Sequence, residues 1–123
     1  MLVIDDDGAT RHDTEMMFEV RGWGVRTAPD LRSAIEAAMT QQPHVIVTEL
    51  LLPDVQSLQF ARALRSVVEH DVQIVALTRA SADVFAQARS EGFDLALAKP
   101  LDGDDIERYV RATTRMPTLR RDR

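Results

Sequence analysis

Three kinds of residue in this 123-residue chain have types and positions suited to phosphate chemistry: clustered carboxylates, a hydroxyl and one ammonium. Asp5, Asp6 and Asp7 follow the apolar run LVI in one short turn. Glu49 interrupts a second apolar run, VIVTELLLPD at residues 45–54, just before Pro53. Thr78 ends a third run, IVALT, and Lys99 precedes Pro100 as the single lysine among 15 basic residues, the other 14 being arginine. Carboxylates on short turns are the hard oxygen ligands that a cation such as Mg2+ takes, its shell completed by waters. A hydroxyl and an ammonium beside them hold the oxygens of a phosphoryl group, so that together these are the parts for phosphoryl transfer by position and electrostatics. Each also has a plain structural reading. An acidic turn or Thr78 can cap a helix, and Lys99 with Glu49 can form an ion pair that is costly to bury and only weakly stabilising.

Whether these residues make a site depends on the elements that carry them. Leu2–Ile4, Val45–Val47, Ile74–Leu77 and, more weakly, Leu95–Leu97 are apolar on both faces, as strands must be inside a parallel sheet covered by helices on both sides. Gly24–Ala28 alternates and reads as an edge strand, stopped by Pro29. Between them, Thr10–Arg21 places Met16, Met17 and Val20 on one helical face, and Leu31–Thr40 does the same with Leu31, Ala34, Ile35 and Ala38 behind an Asp30 cap. Leu58–Val68 carries Leu64, Val67 and Val68; Ser81 caps a helix over Ala82–Glu91 that ends at Gly92. The last helix opens at Asp102, where Asp102, Asp104 and Asp105 meet the positive end of its dipole, and runs to about Arg115. This β-α alternation with short connections predicts a doubly wound α/β fold, a five-stranded parallel sheet in the order 2-1-3-4-5.

In such a sheet ligands bind outside the carboxyl ends of the strands, near the reversal of strand order. The first strand leads there into Asp5-Asp6-Asp7, the third into Glu49, the fourth into Thr78 and the fifth into Lys99-Pro100. Independent surface decoration would not select the same end of four strands, and this convergence favours a site.

Bulk properties narrow the class. The length fits one domain, and 45% hydrophobic with 28% charged residues is a globular balance. No apolar run approaches the roughly 20 residues that cross a bilayer, and MLVIDDD lacks the positive start of a secretory signal, so a cytoplasmic location is expected. The absence of cysteine excludes disulfides and thiolate chemistry. A net charge of -5 argues against a nucleic-acid-binding body. Residues 116–123 read as a separate basic tail, with Pro117 breaking any helix, and without a helix-turn-helix they are read as solvated chain. His12, His44 and His70 share no metal spacing, and Trp23, between glycines, reads as a packing residue.

Residues 1 to about 114 resemble the receiver domains of two-component response regulators. LVIDDD resembles their first strand with its metal-binding acidic pair, VIVTELLLPD the strand and loop bearing the phosphoacceptor, Thr78 the switch hydroxyl, and Lys99-Pro100 the lysine followed by a commonly cis-bonded proline. The resemblance implies a flavodoxin-like (βα)5 domain over residues 1–115 acting in phosphorelay signalling. It implies Mg2+ held by Asp6 directly and Asp5 through water, with Glu49 and the Leu51 carbonyl. The implied partners are signalling proteins, a kinase or an output partner, with a homodimer through the last strand and helix, no membrane, and no nucleic acid for the domain itself.

The departures from that pattern are specific. Glu49 stands where the family has an aspartate, and the extra methylene carries its carboxylate about 1.5 Å outward, into the space a phosphoryl group would fill. In-line attack tolerates little such misplacement. Arg79 replaces a small residue after Thr78, Ala96 replaces the aromatic partner of the threonine switch, and Ser57 replaces a frequent glycine. The expectation is an atypical receiver, not an enzyme, in which Glu49 reaches Lys99 or Arg79 and fixes one conformation, with Mg2+ disfavoured by the longer acid and the competing lysine. DDDGAT also resembles the DxDG signature of haloacid-dehalogenase-type phosphatases, with Asp5 as nucleophile and Asp7 as general acid, followed by Thr78 and Lys99. That scheme leaves Glu49 without a role and lacks the further acidic pair on a later strand.

Overall fold

The computed structural model of the chain describes residues 1–55, 59–79, 82–100 and 102–114. Its elements alternate as β1 (Leu2–Ile4), α1 (Gly8–Glu19), β2 (Arg26–Ala28), α2 (Leu31–Gln41), β3 (Val45–Glu49), α3 (Phe60–Ser66), β4 (Gln73–Thr78), α4 (Ala82–Ser90), β5 (Leu95–Ala98) and α5 (Gly103–Thr114). All neighbouring strands are parallel, in the order β2-β1-β3-β4-β5. The doubly wound architecture and the strand order are those expected from the sequence.

The period of two along each strand divides the core between the two faces. Leu2, Ile4, Ile46, Ile74 and Ala76 point to one side, where Ala34 and Ala38 of α2, Leu64 of α3 and Ala88 of α4 cover them. Val3, Val45, Val47, Val75 and Leu77 point to the other, under Phe18 of α1 and Ile106 and Val110 of α5. Because both faces are dry, the central strands lack alternation in sequence.

Local signals explain most boundaries. The Asp30 carboxylate accepts from the Ser33 N–H at 2.8 Å and starts α2. Gly92, at φ 105°, turns the chain after α4. The first turn of α5 carries Asp104 and Asp105, and Asp102 accepts from the Asp104 N–H. Trp23 packs edge-on against Phe18, in a T-shaped pair, and His44 stacks on His70 despite their separation in sequence.

The structure corrects the face of α1. Thr14 and Phe18 are its buried residues, whereas Met16 and Val20 are 49% and 78% exposed. Phe18 offers more apolar area than either, and Thr14 enters the core because its hydroxyl donates to the Thr10 carbonyl one turn back at 2.8 Å. The edge strand is shorter than expected, Arg26–Ala28 rather than Gly24–Ala28. β3 and β4 run further, to Glu49 and Thr78 themselves, so that pairing Glu49 with Leu77 fixes the acid at the sheet's edge. Ser57, the Ser81 cap, the start of the third helix at Leu58, the end of the last one at Arg115 and the basic tail lie outside the described residues.

Candidate functional site

Parallel pairing sets the ends of β1, β3, β4 and β5 along one edge, and the backbone continues to pair just past them. The Asp5 N–H donates to the Ala28 carbonyl at 3.1 Å and the Lys99 N–H to the Thr78 carbonyl at 3.0 Å. Asp5 and Lys99 therefore leave the sheet in fixed register, on either side of Glu49. The Lys99 ammonium lies 2.7 Å from Asp5 Oδ2 and 2.7 Å from Glu49 Oε1. The side chains of Lys99, Asp5 and Glu49 are only 5%, 7% and 11% exposed, so water screens this group little.

The second oxygen of each carboxylate is also engaged. Glu49 Oε2 accepts from the Leu50 N–H at 2.6 Å and the Leu51 N–H at 3.1 Å, so the acid folds back over its own loop. Asp5 Oδ1 accepts from the Asp7 N–H at 3.0 Å. Burial works to raise the Glu49 pKa, but the Lys99 bond and the two amides outweigh it and hold the carboxyl below its usual range. Burial likewise works to lower the Lys99 pKa, and its bonds to Asp5 and Glu49 outweigh that and raise it. The cluster is thus a charged lysine held between the Asp5 side chain and an ionised Glu49.

The other expected site residues fall into distinct places. Asp6 is exposed, and Thr78 is fully buried at the end of β4. Arg79 is exposed and is not the partner of Glu49; with Lys99, Pro100, Thr10, Asp13 and Leu77 it borders a cavity of about 240 Å³ between α1 and the β4 and β5 ends. Ala96 packs on the α2–α4 side of the sheet. The Lys99-Pro100 peptide is cis. Leu51 has an exposed side chain, and its N–H belongs to Glu49. Asp7 flanks the start of α1, where the Thr10 hydroxyl donates to it at 2.6 Å and is the main cause of its lowered pKa.

Two residues at this edge escaped the sequence reading. Arg11, in the first turns of α1, donates from Nη1 to the Asp5 carbonyl at 2.7 Å and brings a second cation over the acidic turn. It lies six residues from Asp5, across the turn that enters α1, and no sequence spacing signals the contact. Asp54, in the β3–α3 loop, binds backbone N–H groups of α2, which no local pattern reveals.

Lys99 stands between the two carboxylates that would meet a cation. Among the described residues no group of three His, Cys, Asp or Glu side chains is placed to hold a metal ion. The oxygens of Asp5 and Glu49 that would ligate a cation are taken by Lys99 and by amides. Both oxygens of Asp5 accept hydrogen bonds, from the Asp7 N–H and from Lys99.

Residues 1–111 match the family model of the response regulator receiver domain. The chain belongs to that family. Membership replaces the phosphatase reading of DDDGAT. The receiver is 32% identical over 117 residues to the probable transcriptional regulatory protein TcrX of Mycobacterium tuberculosis, covering 94% of this chain and 49% of that protein. It is 30% identical over 119 residues to the response regulator MprA of Mycolicibacterium vanbaalenii, covering 96% of this chain and 51% of that one. The chain thus spans about half the length of these relatives. Among solved structures, a Burkholderia pseudomallei response regulator with a phosphorylated aspartic acid, calcium ion and citrate superposes with a TM-score of 0.77 at 31% identity, over 85% of this chain and 62% of that chain. A two-component response regulator from Clostridium difficile shares the fold, with a TM-score of 0.83 at 24% identity over 94% of both chains.

Proposed function

We propose that this receiver is an atypical one, a signalling and protein-interaction module that is not phosphorylated in the standard way. The observation that carries the reading is the state of Glu49: one oxygen on Lys99, the other on the Leu50 and Leu51 amides. A donor phosphoryl group would have to displace the ammonium and both amides before meeting a free oxygen. The carboxylate that should attack instead fills the anion position of its own pocket. The same bonds support a domain whose resting charge balance is met by Lys99 rather than by Mg2+.

In this proposal Thr78 and Lys99 keep the places of the switch hydroxyl and phosphoryl-contact lysine, while Arg79 and Ala96 remove the small residue and aromatic partner of the usual switch. The domain extends over residues 1–115, with 116–123 as a tail. Its partners are a kinase or an output partner, and a second copy could dock through β5 and α5. The location is cytoplasmic; among the described residues no helix is long and apolar enough to cross a membrane. The M. tuberculosis relative, named as a probable transcriptional regulator, supports a place in gene control through a partner or further domain.

The test is incubation with acetyl phosphate and Mg2+ followed by intact-mass measurement. The wild type should gain no acid-labile phosphoryl group, and Glu49→Asp should gain one. An acid-labile adduct on wild-type Glu49 would overturn the reading.

A further inference from the structure

The loop that follows Glu49 also holds the start of α2. Both oxygens of Asp54 accept from this helix: Oδ1 from the Leu31 N–H at 2.9 Å and Oδ2 from the Arg32 N–H at 3.0 Å. Asp30 serves the next N–H, that of Ser33, so two of the free donors at the head of α2 are satisfied from another segment of the chain. Between Glu49 and Asp54 the loop is anchored by Leu50 and Leu52, 0% and 3% exposed, with Pro53 restricting the chain between Leu52 and Asp54. A segment pinned in this way shifts as a unit rather than dissipating a displacement along a slack chain.

The far end of α2 is tied in a matching way. Gln42, in the left-handed region at φ 48°, donates from its side-chain amide to the Val67 carbonyl at 3.0 Å and accepts from the Glu69 N–H at 2.7 Å. Helix α2 is therefore clasped at its head by the loop before α3 and at its tail by the turn after it.

We propose that Asp54 is a latch coupling the state of the Glu49 pocket to the first turn of α2. When Glu49 lies on Lys99 and on the Leu50 and Leu51 amides, the loop is held where Asp54 meets Leu31 and Arg32. When Glu49 leaves, the Leu50 and Leu51 amides lose their acceptor, the loop shifts, and the head of α2 loses its external cap. The inference does not depend on whether Glu49 is ever phosphorylated, because any change that frees Glu49 operates the latch.

The test reads the amide signals of Leu31, Arg32 and Ser33 in 1H-15N spectra of the full chain. Asp54→Ala should move the Leu31 and Arg32 amide protons upfield and leave Ser33, capped by Asp30, close to its place. Glu49→Gln, which keeps the shape but loses the charge, should move Leu31 and Arg32 in the same direction by a smaller amount. Glu49→Ala provides a second reading should Gln keep the amide contacts. The coupling is overturned if both Glu49 variants shift Leu50 and Leu51 while Leu31 and Arg32 stay fixed. The latch itself is overturned if Asp54→Ala leaves Leu31 and Arg32 unmoved.

Discussion

Removing the ammonium from the pocket gives the sharpest prediction. In Lys99→Met a chain of similar length remains, but Asp5 and Glu49 face each other without their counter-ion. Each oxygen lies 2.7 Å from Nζ, so the two are at most about 5.4 Å apart, and at an effective dielectric of about 20 two unit charges at that distance repel by about 3 kcal/mol. That agrees with the roughly 3–5 kcal/mol lost when one partner of a buried ion pair is removed. For a chain of this size it corresponds to a fall of roughly 10 °C in Tm. The variant should also reverse the sign of the pH dependence. In the wild type the Glu49 pKa is lowered, so its contribution is full above the unfolded value of 4.5 and is lost as pH falls through the folded value. Without Lys99, burial and the nearby Asp5 carboxylate raise the Glu49 pKa. The folded variant then binds more protons than the unfolded chain, and acidification from about pH 8 to about pH 5 stabilises it. Urea denaturation followed by Trp23 fluorescence across this range measures both effects. A variant within about 0.5 kcal/mol of the wild type, with the same pH slope, would refute the buried-triad account.

Four further outcomes follow from the same geometry. Arg65 donates to the Val72 and Gly92 carbonyls and to Asp94, whose carboxylate in turn receives the Ile74 N–H, so Arg65→Ala should cost about 1–3 kcal/mol in denaturant unfolding. Gln42→Gly relieves the left-handed residue but discards the bonds to Val67 and Glu69; the losses win, and a small net destabilisation of about 1 kcal/mol should appear in the same assay. Asp30→Ala removes the Ser33 cap and should lower the urea midpoint. Titration of the wild type with Mg2+ should leave the amide signals of Asp5, Asp6 and Glu49 in place; saturable millimolar shifts there would show that the lysine yields to the metal.

The sheet order and the convergent edge were legible because they depend on coarse features. Apolar runs doubly buried in a parallel sheet stand out as runs, and the chain leaving each run names the edge residues. The face of α1 was not legible. It has several apolar residues spread around it, and choosing Thr14 over Met16 depends on a hydroxyl satisfied one turn back. Within the site, Glu49 and Lys99 could be paired on paper because one interrupts a strand and the other is the single lysine. That Lys99 also takes Asp5 was hidden, since only the register of β1 and β5 about β3 brings the three together. Arg11, Asp54, Arg65 and Gln42 all bind backbone groups far from them in sequence or across a turn, and such bonds leave no periodic trace.

The single lysine makes the central claim directly measurable. Selective 15N-lysine labelling yields one side-chain ammonium signal, from Lys99, and its proton exchange and shift report the bonds to Asp5 and Glu49. The account predicts a slowly exchanging signal that stays in place when Mg2+ and acetyl phosphate are added together. A signal that shifts or broadens on that addition, with an acid-labile gain in mass on Glu49, would contradict it.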